Sequence, residues 1–376
     1  MSSPRRIGIL TGGGDSPGLN AVIRAVAKSL ILDAGAEVFG FADGFAGMVE
    51  RRTRPLSLRD VSGILALGGT ILGTSNKANP FAWHAGGGAD RSAEAIRYAR
   101  GELKLDAVVA IGGDGTMSIA HRLHQAGMPM VGVPKTIDND LMYTDRTFGF
   151  DTAVAIATEA IDRLHTTAQS HHRVMILETM GRYAGWIALY AGVAGGADVI
   201  LIPEFEYDVE EVARLCRARE QDGRRFTLVC IAEGAKPRGG QHAVRQIVAD
   251  SPDPVRLGGI ASVLEHQLAQ LLHSEVRTTI LGHVQRGGTP TAFDRTLATA
   301  FGAYAAALVD GQQYGRMVAV QASRLTSVAL ADVADRQRTV PPDAPMLAAA
   351  RAVGTSFGVP DLAFRFDPKQ PSAMLS

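Results

Sequence analysis

The sequence predicts an α/β fold built from two doubly wound, mostly parallel α/β/α units. Short and almost wholly apolar runs alternate with longer amphipathic runs, as in parallel sheets whose two faces are both covered by helices. The chain has 376 residues, and at ~150 residues per domain this length leaves room for two such units. Hydrophobic residues make up 46% and charged residues 20% of the chain, a balance typical of a well-buried globule and not of a disordered chain.

The apolar runs predict buried strands at residues 7–10, 107–111, 130–133, 174–177, 199–202, 228–232 and 279–281. Residues 151–165 predict a helix, because apolar side chains recur there at spacings of three and four. Those side chains are Val154, Ala157, Ile161 and Leu164. Asp151 or Thr152 is the expected N-cap of this helix.

Charge and cysteine content exclude several classes of protein. Lys and Arg number 38 and Asp and Glu number 38, which argues against a polybasic nucleic-acid-binding protein. The two cysteines, Cys216 and Cys230, are too few for a disulfide framework. No apolar run reaches the ~18 residues of a membrane helix, and the first residues lack a signal-peptide pattern. We therefore expect a cytoplasmic protein without membrane or nucleic-acid partners.

A glycine-rich segment, TGGGDSPG at 11–18, follows the first predicted strand. Ligands of open α/β sheets bind beyond the carboxyl ends of strands, and glycines at a helix start let backbone N–H groups approach an anion. Leu19 and Asn20 stand where a Walker A loop has Lys and Ser or Thr, and Pro17 replaces the last glycine of a dinucleotide motif. The segment predicts a phosphate-binding loop, and an ordinary strand-to-helix turn is the alternative.

A second glycine loop, GGDGT at 112–116, carries an acidic residue. An Asp in such a loop makes sense if a metal bridges its carboxylate and a phosphate, because Mg²⁺ usually takes one or two carboxylates plus phosphate oxygens and water. Alternatively, Asp114 is a helix N-cap. The two interpretations are compatible.

The segment PKTIDND at 134–140 follows the third strand of the first half. Asp138 and Asp140 are two residues apart, so both point to one side of an extended segment. Together with Lys135 they suggest base catalysis and phosphate neutralisation. A polar turn is the alternative, because Asn and Asp are frequent in turns.

Several cations lie near predicted strand ends or in glycine loops, a placement that suggests bidentate recognition of phosphate. For any one Arg, a surface ion pair is the simpler interpretation. The residues are Arg173, Arg182, Arg277, His283 and Arg286.

These segments together resemble the A-type 6-phosphofructokinase family of ATP- and pyrophosphate-dependent enzymes, over about residues 5–320. The matching stretches are GGGDSPGLNAVIR at 12–24, GGTILGTS at 68–75, IGGDGT at 111–116, PKTIDND at 134–140, SHHRVMILETMGR at 170–182, GGADVILIPE at 195–204, AEGA at 232–235 and LGHVQRGGTPTAFDR at 281–295. GGDGT also occurs in NAD and lipid kinases, whereas TIDND, MGR and LGHVQRGG in this order are specific.

The resemblance implies two α/β domains with the active site in the cleft between them. Residues 1–149 plus about 285–340 would form the donor-nucleotide and Mg²⁺ domain. Residues 150–284 plus about 341–376 would form the fructose 6-phosphate domain. The implied reaction transfers a phosphoryl group to the 1-hydroxyl of fructose 6-phosphate, giving fructose 1,6-bisphosphate in glycolysis.

The resemblance also implies a role for each matching residue. Asp138 would be the general base, Arg182 would orient substrate or stabilise developing charge, and Thr136 would contact the transferring phosphoryl group. Asp114 would bind Mg²⁺, and Asp140 would support the metal or hold the sugar. The expected donor-binding residues are Gly14, Asn76, Lys77, Gly113, Gly115, Thr116 and Lys135. The expected sugar-phosphate residues are Asp140, Arg173, Met180, Gly181, Glu233, Arg277, His283 and Arg286.

In the bacterial tetramers of this family, the residues that match Arg173 and Arg277 come from a neighbouring subunit. The resemblance therefore implies a homotetramer whose active sites share residues across subunits.

The phosphoryl donor rests on a mixed pattern. Glycine at position 115 accompanies ATP in the family, because an Asp there would occupy space and repel charge where the α-phosphate must pass. Lys135 accompanies pyrophosphate, and Asn76 replaces an Arg common in ATP-dependent members, with Lys77 next to it. We expect ATP, because steric exclusion is harder to evade than an extra Lys. The alternatives are a reversible pyrophosphate-dependent enzyme and, secondly, a non-catalytic nucleotide or sugar-phosphate sensor.

Overall fold

The computed structural model describes residues 4–247 and 255–360, and the C-terminal part of the second predicted domain lies outside them. The strands are β1 (Arg6–Thr11), β2 (Glu37–Phe41), β3 (Thr53–Leu56), β4 (Ala107–Gly112), β5 (Met130–Pro134), β6 (Val174–Thr179), β7 (Val199–Leu201), β8 (Thr227–Ala232), β9 (Val244–Ile247), β10 (Val255–Leu257), β11 (Val276–Ile280), β12 (Arg316–Gln321) and β13 (Arg324–Ala329).

The α-helices are α1 (Leu19–Ala34), α2 (Phe45–Val49), α3 (Ser92–Ile96), α4 (Asp114–Gln125), α5 (Phe150–His171), α6 (Trp186–Ala194), α7 (Val209–Gln221), α8 (Ile260–Ala269), α9 (Ala292–Asp310), α10 (Leu330–Val333) and α11 (Pro345–Ala352). A π-helical turn, Arg97–Glu102, continues α3, and short 3₁₀ turns span His84–Gly86 and Gly282–Arg286.

A seven-stranded sheet has the order β13-β12-β5-β4-β1-β2-β3. Its five inner strands are parallel, and the edge strands β3 and β13 pair antiparallel with their neighbours. The central strand β4 is AVVAIG, and all six of its residues are buried. Helices cover both faces, so an uninterrupted apolar run is what such a strand requires.

A second sheet has the order β11-β6-β8-β7, and all of its strands run parallel. β9 and β10 form a separate antiparallel pair. The predicted α/β class with two mainly parallel sheets is therefore confirmed. The seven-stranded sheet takes β12 and β13 from beyond the second sheet in the chain, whereas the domain boundaries expected above stay a prediction.

The start of α5 differs from the prediction. The helix spans Phe150–His171, and Gly149 precedes it in a left-handed conformation at φ 94°. Neither Asp151 nor Thr152 is the N-cap. Instead, Asp294 of α9 accepts hydrogen bonds from the backbone N (2.8 Å) and the hydroxyl (2.5 Å) of Thr152, so a carboxylate from another helix binds the start of α5.

Strand prediction from apolar runs found β1, β4, β5, β6, β7 and β8 and part of β11, and it missed the inner strands β2 and β12 as well as the edge strands β3 and β13 of the large sheet. β3 (TRPL) and β13 (RLTSVA) carry polar residues and are partly exposed, as edge strands are. The strand predicted at 279–281 spans Val276–Ile280. Its sequence, VRTTI, mixes polar and apolar residues, so the apolar pattern indicated only its last part.

Cys216 and Cys230 are both buried and free, as the low cysteine count indicated. Within residues 4–247 and 255–360, no helix has the length and apolar character needed to cross a membrane.

The parallel strands bring the motif loops together. The loops after β1, β4 and β5 leave the carboxyl edge of the large sheet, and those after β6, β8 and β11 leave the carboxyl edge of the second sheet. The two edges meet where the Arg286 guanidinium donates to the carbonyl oxygen of Asp15 at 3.1 Å. The candidate site lies at this meeting point.

Candidate active site

Two cations hold the glycine loop between β1 and α1. The ammonium group of Lys135 donates to the carbonyl oxygen of Gly14, and Arg286 binds that of Asp15. A Cβ added to Gly14 would lie 2.9 Å from Nη1 of Arg286. Only a glycine lets the guanidinium approach this closely, so the loop and its cations form one unit.

The segment before Asn76 and Lys77 lies beside this loop. Gly13 donates its N–H to the carbonyl oxygen of Ser75 at 3.2 Å, and the Thr74 hydroxyl donates to the carbonyl oxygen of Gly13 at 2.6 Å. Asn76 is exposed and Lys77 is partly buried. Both residues thus directly follow a segment that is bound to the glycine loop, and their role in donor binding stays a prediction.

The GGDGT loop turns directly into α4. A Cβ added to Gly115 would meet nothing within 4 Å, so the space in front of it is open. Thr116 is buried, and its hydroxyl oxygen would lie 2.6 Å from a Cβ added to Gly12. Its hydroxyl therefore packs against the first glycine loop.

Asp114 is the first residue of α4, and Gly113 occupies the N-cap position. The N-cap interpretation of Asp114 is therefore wrong. Its Oδ2 instead accepts a hydrogen bond of 2.8 Å from the side-chain amide of Gln337. The sequence did not indicate Gln337 as a site residue, because it lies more than 200 residues downstream of Asp114 and belongs to none of the motifs.

The loop after β5 is fixed by its own polar groups. Asp138 donates its backbone N–H to the Thr136 hydroxyl at 3.1 Å, and the Thr147 hydroxyl donates to the Thr136 carbonyl oxygen at 2.7 Å. Asn139 has a left-handed φ of 52°, and its Oδ1 accepts the backbone N–H of Thr147 at 3.0 Å. The polar-turn alternative thus describes the backbone and leaves the two Asp side chains unexplained.

Oδ1 of Asp138 is buried and has no hydrogen-bond partner among the described residues. A buried acceptor without a donor is costly unless something binds it. Desolvation raises the pKa of Asp138, with Asp114 adding to the rise, whereas Arg286 and Lys135 oppose it. The carboxyl is therefore suited to accept a proton or face a cation.

Like charges crowd this cleft. Burial, together with Asp138 and Asp114, raises the pKa of Asp140 to about 7. Burial, with Asp138 and Glu178, raises the pKa of Glu233 to about 8. On the cationic side, burial and the neighbouring Arg286 lower the pKa of Lys135 to about 8. Perturbed groups concentrated in one cleft are typical of a functional site.

The second sheet supplies the opposite wall. Glu233 donates its backbone N–H to the Thr179 carbonyl oxygen at 2.9 Å, and Met180 donates its own to Oε1 of Gln285 at 2.6 Å. Gly181 has a φ of 126°, which a residue with a side chain rarely adopts. Gln285 is fully buried and was given no role from the sequence, although it lies inside the LGHVQRGG motif.

The Arg182 guanidinium lies 4.8 Å from the ring centre of Tyr183. Arg182 and Arg286 both oppose the rise in the pKa of Glu233. Both cations therefore lie on the Glu233 side of the cleft. His283 lies in the 3₁₀ turn before Arg286 and is exposed.

Arg173 and Arg277 lie elsewhere. Arg173 precedes β6, whose other end leads to Met180, and six residues of strand at ~3.3 Å each span about 20 Å. Both arginines form ion pairs with Glu275. Within one chain, the structure therefore does not bring them to the cleft.

Glu233 makes the stability of the protein depend on pH. Its pKa is raised from 4.5 to about 8, so its stabilising contribution is complete below 4.5 and is lost as pH rises to about 8. Glu233→Gln keeps the neutral form throughout. We expect its melting temperature to exceed that of the wild type increasingly over this range, and the difference to be constant above it.

Calorimetric melting curves across the range test this expectation. Glu206→Gln is the control, because a hydrogen bond from Lys236 lowers the pKa of Glu206, so its substitution brings no gain as pH rises. Parallel melting profiles of Glu233→Gln and the wild type would contradict the assignment.

Comparisons with known proteins agree with this geometry. A phosphofructokinase family model matches residues 6–309. The ATP-dependent 6-phosphofructokinase 2 of Clostridium perfringens is 47% identical over 366 residues, covering 95% of this chain and 99% of the relative. The pyrophosphate–fructose 6-phosphate 1-phosphotransferase of Amycolatopsis methanolica is 49% identical, covering 90% and 97%.

The solved phosphofructokinase of Saccharomyces cerevisiae superposes with a TM-score of 0.75 at 30% identity over 88% of this chain. The match spans 45% of the yeast chain, less than half of its length. The family model and the coverage of the bacterial relatives lead to one conclusion: the chain belongs to the phosphofructokinase family.

Proposed function

We propose that this protein is an ATP-dependent 6-phosphofructokinase, which transfers a phosphoryl group from ATP to the 1-hydroxyl of D-fructose 6-phosphate in glycolysis. The observation that carries the proposal is the buried Oδ1 of Asp138, which has no hydrogen-bond partner in the described part of the chain. It lies between a glycine loop held by Lys135 and a wall that carries Glu233. The name of the Clostridium relative supports both substrates. The domain division expected from the resemblance and a cytoplasmic location belong to the same proposal.

Asp138 acts as the general base. Burial raises the pKa of this carboxyl while Arg286 and Lys135 oppose the rise, so the carboxylate is a stronger proton acceptor than that of an ordinary Asp. It removes the proton of the 1-hydroxyl as the oxygen attacks the terminal phosphorus. Thr136 and Arg182 contact or stabilise the transferring group, and Met180, Gly181, Glu233 and Arg286 hold the sugar phosphate. Such positioning and charge stabilisation are the main requirements of phosphoryl transfer.

The acidic side of the cleft fits Mg²⁺. Mg²⁺ usually takes one or two protein carboxylates and completes its shell with phosphate oxygens and water. Asp114 would hold it, and Asp140 would support it. Bound there, Mg²⁺ would neutralise charge on the donor phosphates.

The donor follows from Gly115. The open space in front of this residue leaves room for the α-phosphate of ATP, which an Asp side chain would occupy. Pyrophosphate is the second candidate, and two observations favour it: the ammonium group of Lys135 lies on the glycine loop, and the Amycolatopsis relative uses pyrophosphate according to its name. A non-catalytic sensor is disfavoured, because a sensor has no use for an unpartnered buried base.

Purified protein supplied with fructose 6-phosphate, Mg²⁺ and ATP, pyrophosphate or ADP separately tests the donor. We expect fructose 1,6-bisphosphate with ATP. Gly115→Asp should reduce the ATP reaction far more than any pyrophosphate reaction, because its carboxylate occupies the open space. The control is Gly101→Asp, at an exposed glycine without positive φ whose added Cβ lies 3.6 Å from Arg97.

Turnover with pyrophosphate alone would replace ATP by pyrophosphate in the proposal. Equal losses with both donors in Gly115→Asp would remove the steric argument.

Asp138→Ser should lower turnover by ~10²–10⁴-fold, the usual cost of removing a general base. Fructose 6-phosphate should still bind, as measured by calorimetry, because the base contributes to the reaction and not to sugar affinity. Asp332→Ser, at an exposed position of α10, is the control. Turnover close to the wild type in Asp138→Ser would exclude Asp138 as the base.

Arg173 and Arg277 complete the site from a neighbouring subunit of a homotetramer in this proposal. Their position at the amino-terminal ends of β6 and β11 supports it, because the cleft of their own chain lies at the carboxyl ends of these strands. Co-expressed Asp138→Ser and Arg173→Leu chains should then have more activity than the sum of the separate variants. Some mixed sites combine an intact Asp138 with an intact Arg173.

The matched control pairs Asp138→Ser with Arg286→Leu. Arg286 lies in the same chain's cleft as Asp138, so no combination of these chains restores an intact site. Absence of excess activity in the Arg173 mixture would place this Arg outside the active site.

A further inference from the structure

A segment beyond the family-model match crosses the candidate site. Residues 335–340, here called the crossing segment, connect α10 to the turn before α11. Asp335 donates its backbone N–H to the hydroxyl of Ser118 in α4 at 2.9 Å. Val340 donates its own to Oε1 of Glu204 at 2.7 Å, and Glu204 also accepts the backbone N–H of Gly185 at 3.0 Å. The segment therefore spans from the Asp114 helix to the wall formed by the second sheet.

Arg338 lies in the middle of this segment and binds the loop that carries the two Asp residues. Its backbone N–H donates to the Asp140 carbonyl oxygen at 2.7 Å. Its guanidinium donates from Nη2 to the carbonyl oxygens of Asn139 (3.0 Å) and Asp145 (3.0 Å), and from Nε to that of Asn139 (3.3 Å). One side chain thus fixes both ends of the 139–145 bend.

Trp186, at the start of α6, contacts the other face of Arg338. Its guanidinium lies 4.9 Å from the ring centre of Trp186, and the Trp186 indole N–H donates to the Arg338 carbonyl oxygen at 3.2 Å. Burial lowers the pKa of Arg338, and its hydrogen bonds go to backbone carbonyls. A desolvated guanidinium held this way on two sides is a rigid support.

The loop needs such a support. Asn139 is between Asp138 and Asp140 and has a left-handed φ of 52°, a conformation that persists only where surrounding contacts determine it. Its carbonyl oxygen is the one that receives both Nε and Nη2 of Arg338. The backbone direction at Asn139 sets where the flanking carboxylates point, so a change at Arg338 is transmitted to Asp138.

We propose that Arg338 is a positioning residue for phosphoryl transfer, which fixes the Asn139 backbone so that the Asp138 carboxylate faces the attacking hydroxyl. This inference rests on the proposed function. It assigns a role to a residue outside every motif that defines the site. The segment would also transmit the position of the Trp186 helix to the loop.

The test compares Arg338→Ala with Arg336→Ala. Arg336 is exposed, lies two residues away, and has a long contact of 3.4 Å to the Tyr143 hydroxyl. We expect Arg338→Ala to lower kcat by ~10–100-fold, the scale for a small misplacement of a catalytic group, and to leave KM for fructose 6-phosphate close to the wild type. Arg336→Ala should retain both constants.

Two readouts separate positioning from general destabilisation. Guanidine, added well below the concentration that unfolds the protein, should restore part of the kcat of Arg338→Ala and none of that of Asp138→Ser. Amide hydrogen exchange over residues 136–147 should accelerate in Arg338→Ala, whereas exchange in β4 should not change. This second readout does not depend on activity.

Arg338→Lys covers the case in which the alanine variant fails to fold. It keeps the charge and loses the fork that binds two carbonyls, so we expect a lowered kcat at an unchanged KM here too. A folded variant with wild-type kcat, or a kcat loss matched by an equal rise in KM, would overturn the proposal. If the wild-type protein had no phosphofructokinase activity, the proposed function would be rejected. The hydrogen-exchange measurement would still test whether Arg338 holds the loop at residues 136–147.

Discussion

The site depends on one guanidinium that joins the two sheets. Arg286 extends from the 3₁₀ turn after β11 and binds the Asp15 carbonyl oxygen in the loop after β1. In the same position it opposes the rise in the pKa of both Asp138 and Glu233. Without it, acidic groups from two sheets would face each other in a buried cleft, and like charges at low dielectric repel strongly.

Cations in the cleft partly compensate the negative charge of its buried carboxylates. The proposed reaction needs acidic groups there for proton transfer and metal binding, and their burial costs free energy unless cations or a bound ion compensate. Lys135 and Arg286 compensate in part, and both also support the glycine loop through its carbonyl oxygens. The same two cations therefore support the proposed phosphate-binding loop and oppose the rise in the pKa of Asp138, the proposed base.

Sequence reasoning was strongest where backbone chemistry restricts residue choice. The glycine loop after the first apolar strand located Gly14, where an added Cβ would lie only 2.9 Å from Nη1 of Arg286, so a side chain would hinder the approach of the guanidinium. Sequence reasoning failed where one helix end binds a group from far along the chain. Thr152 binds Asp294, and Asp114 binds Gln337. Spacing cannot reveal such partners, because nothing local in either segment specifies the other.

The roles of single residues came from the resemblance, and their spacing alone left alternatives open. A polar turn and a catalytic loop have the same sequence signature at 134–140, since both favour Asn and Asp. Burial favours the catalytic loop, because the buried Oδ1 of Asp138 has no donor among residues 4–247 and 255–360, whereas water would hydrate a carboxylate in a solvated turn. Arg338 is the opposite case. It belongs to no sequence motif, and its proposed role is inferred from the carbonyl oxygens that it binds.

The positions of Arg173 and Arg277 favour a site that is completed by a second chain. In a parallel sheet, residues at opposite ends of a strand cannot serve the same pocket, so these arginines and the cleft belong to different surfaces of the protomer. In the isolated chain, Glu275 binds both of them and supplies the anion that a 6-phosphate would supply in an assembled site. A two-fold interface repeats each contact in both directions. Such an interface could bring the arginines of each subunit to its partner's cleft, so assembly would complete two sites at once.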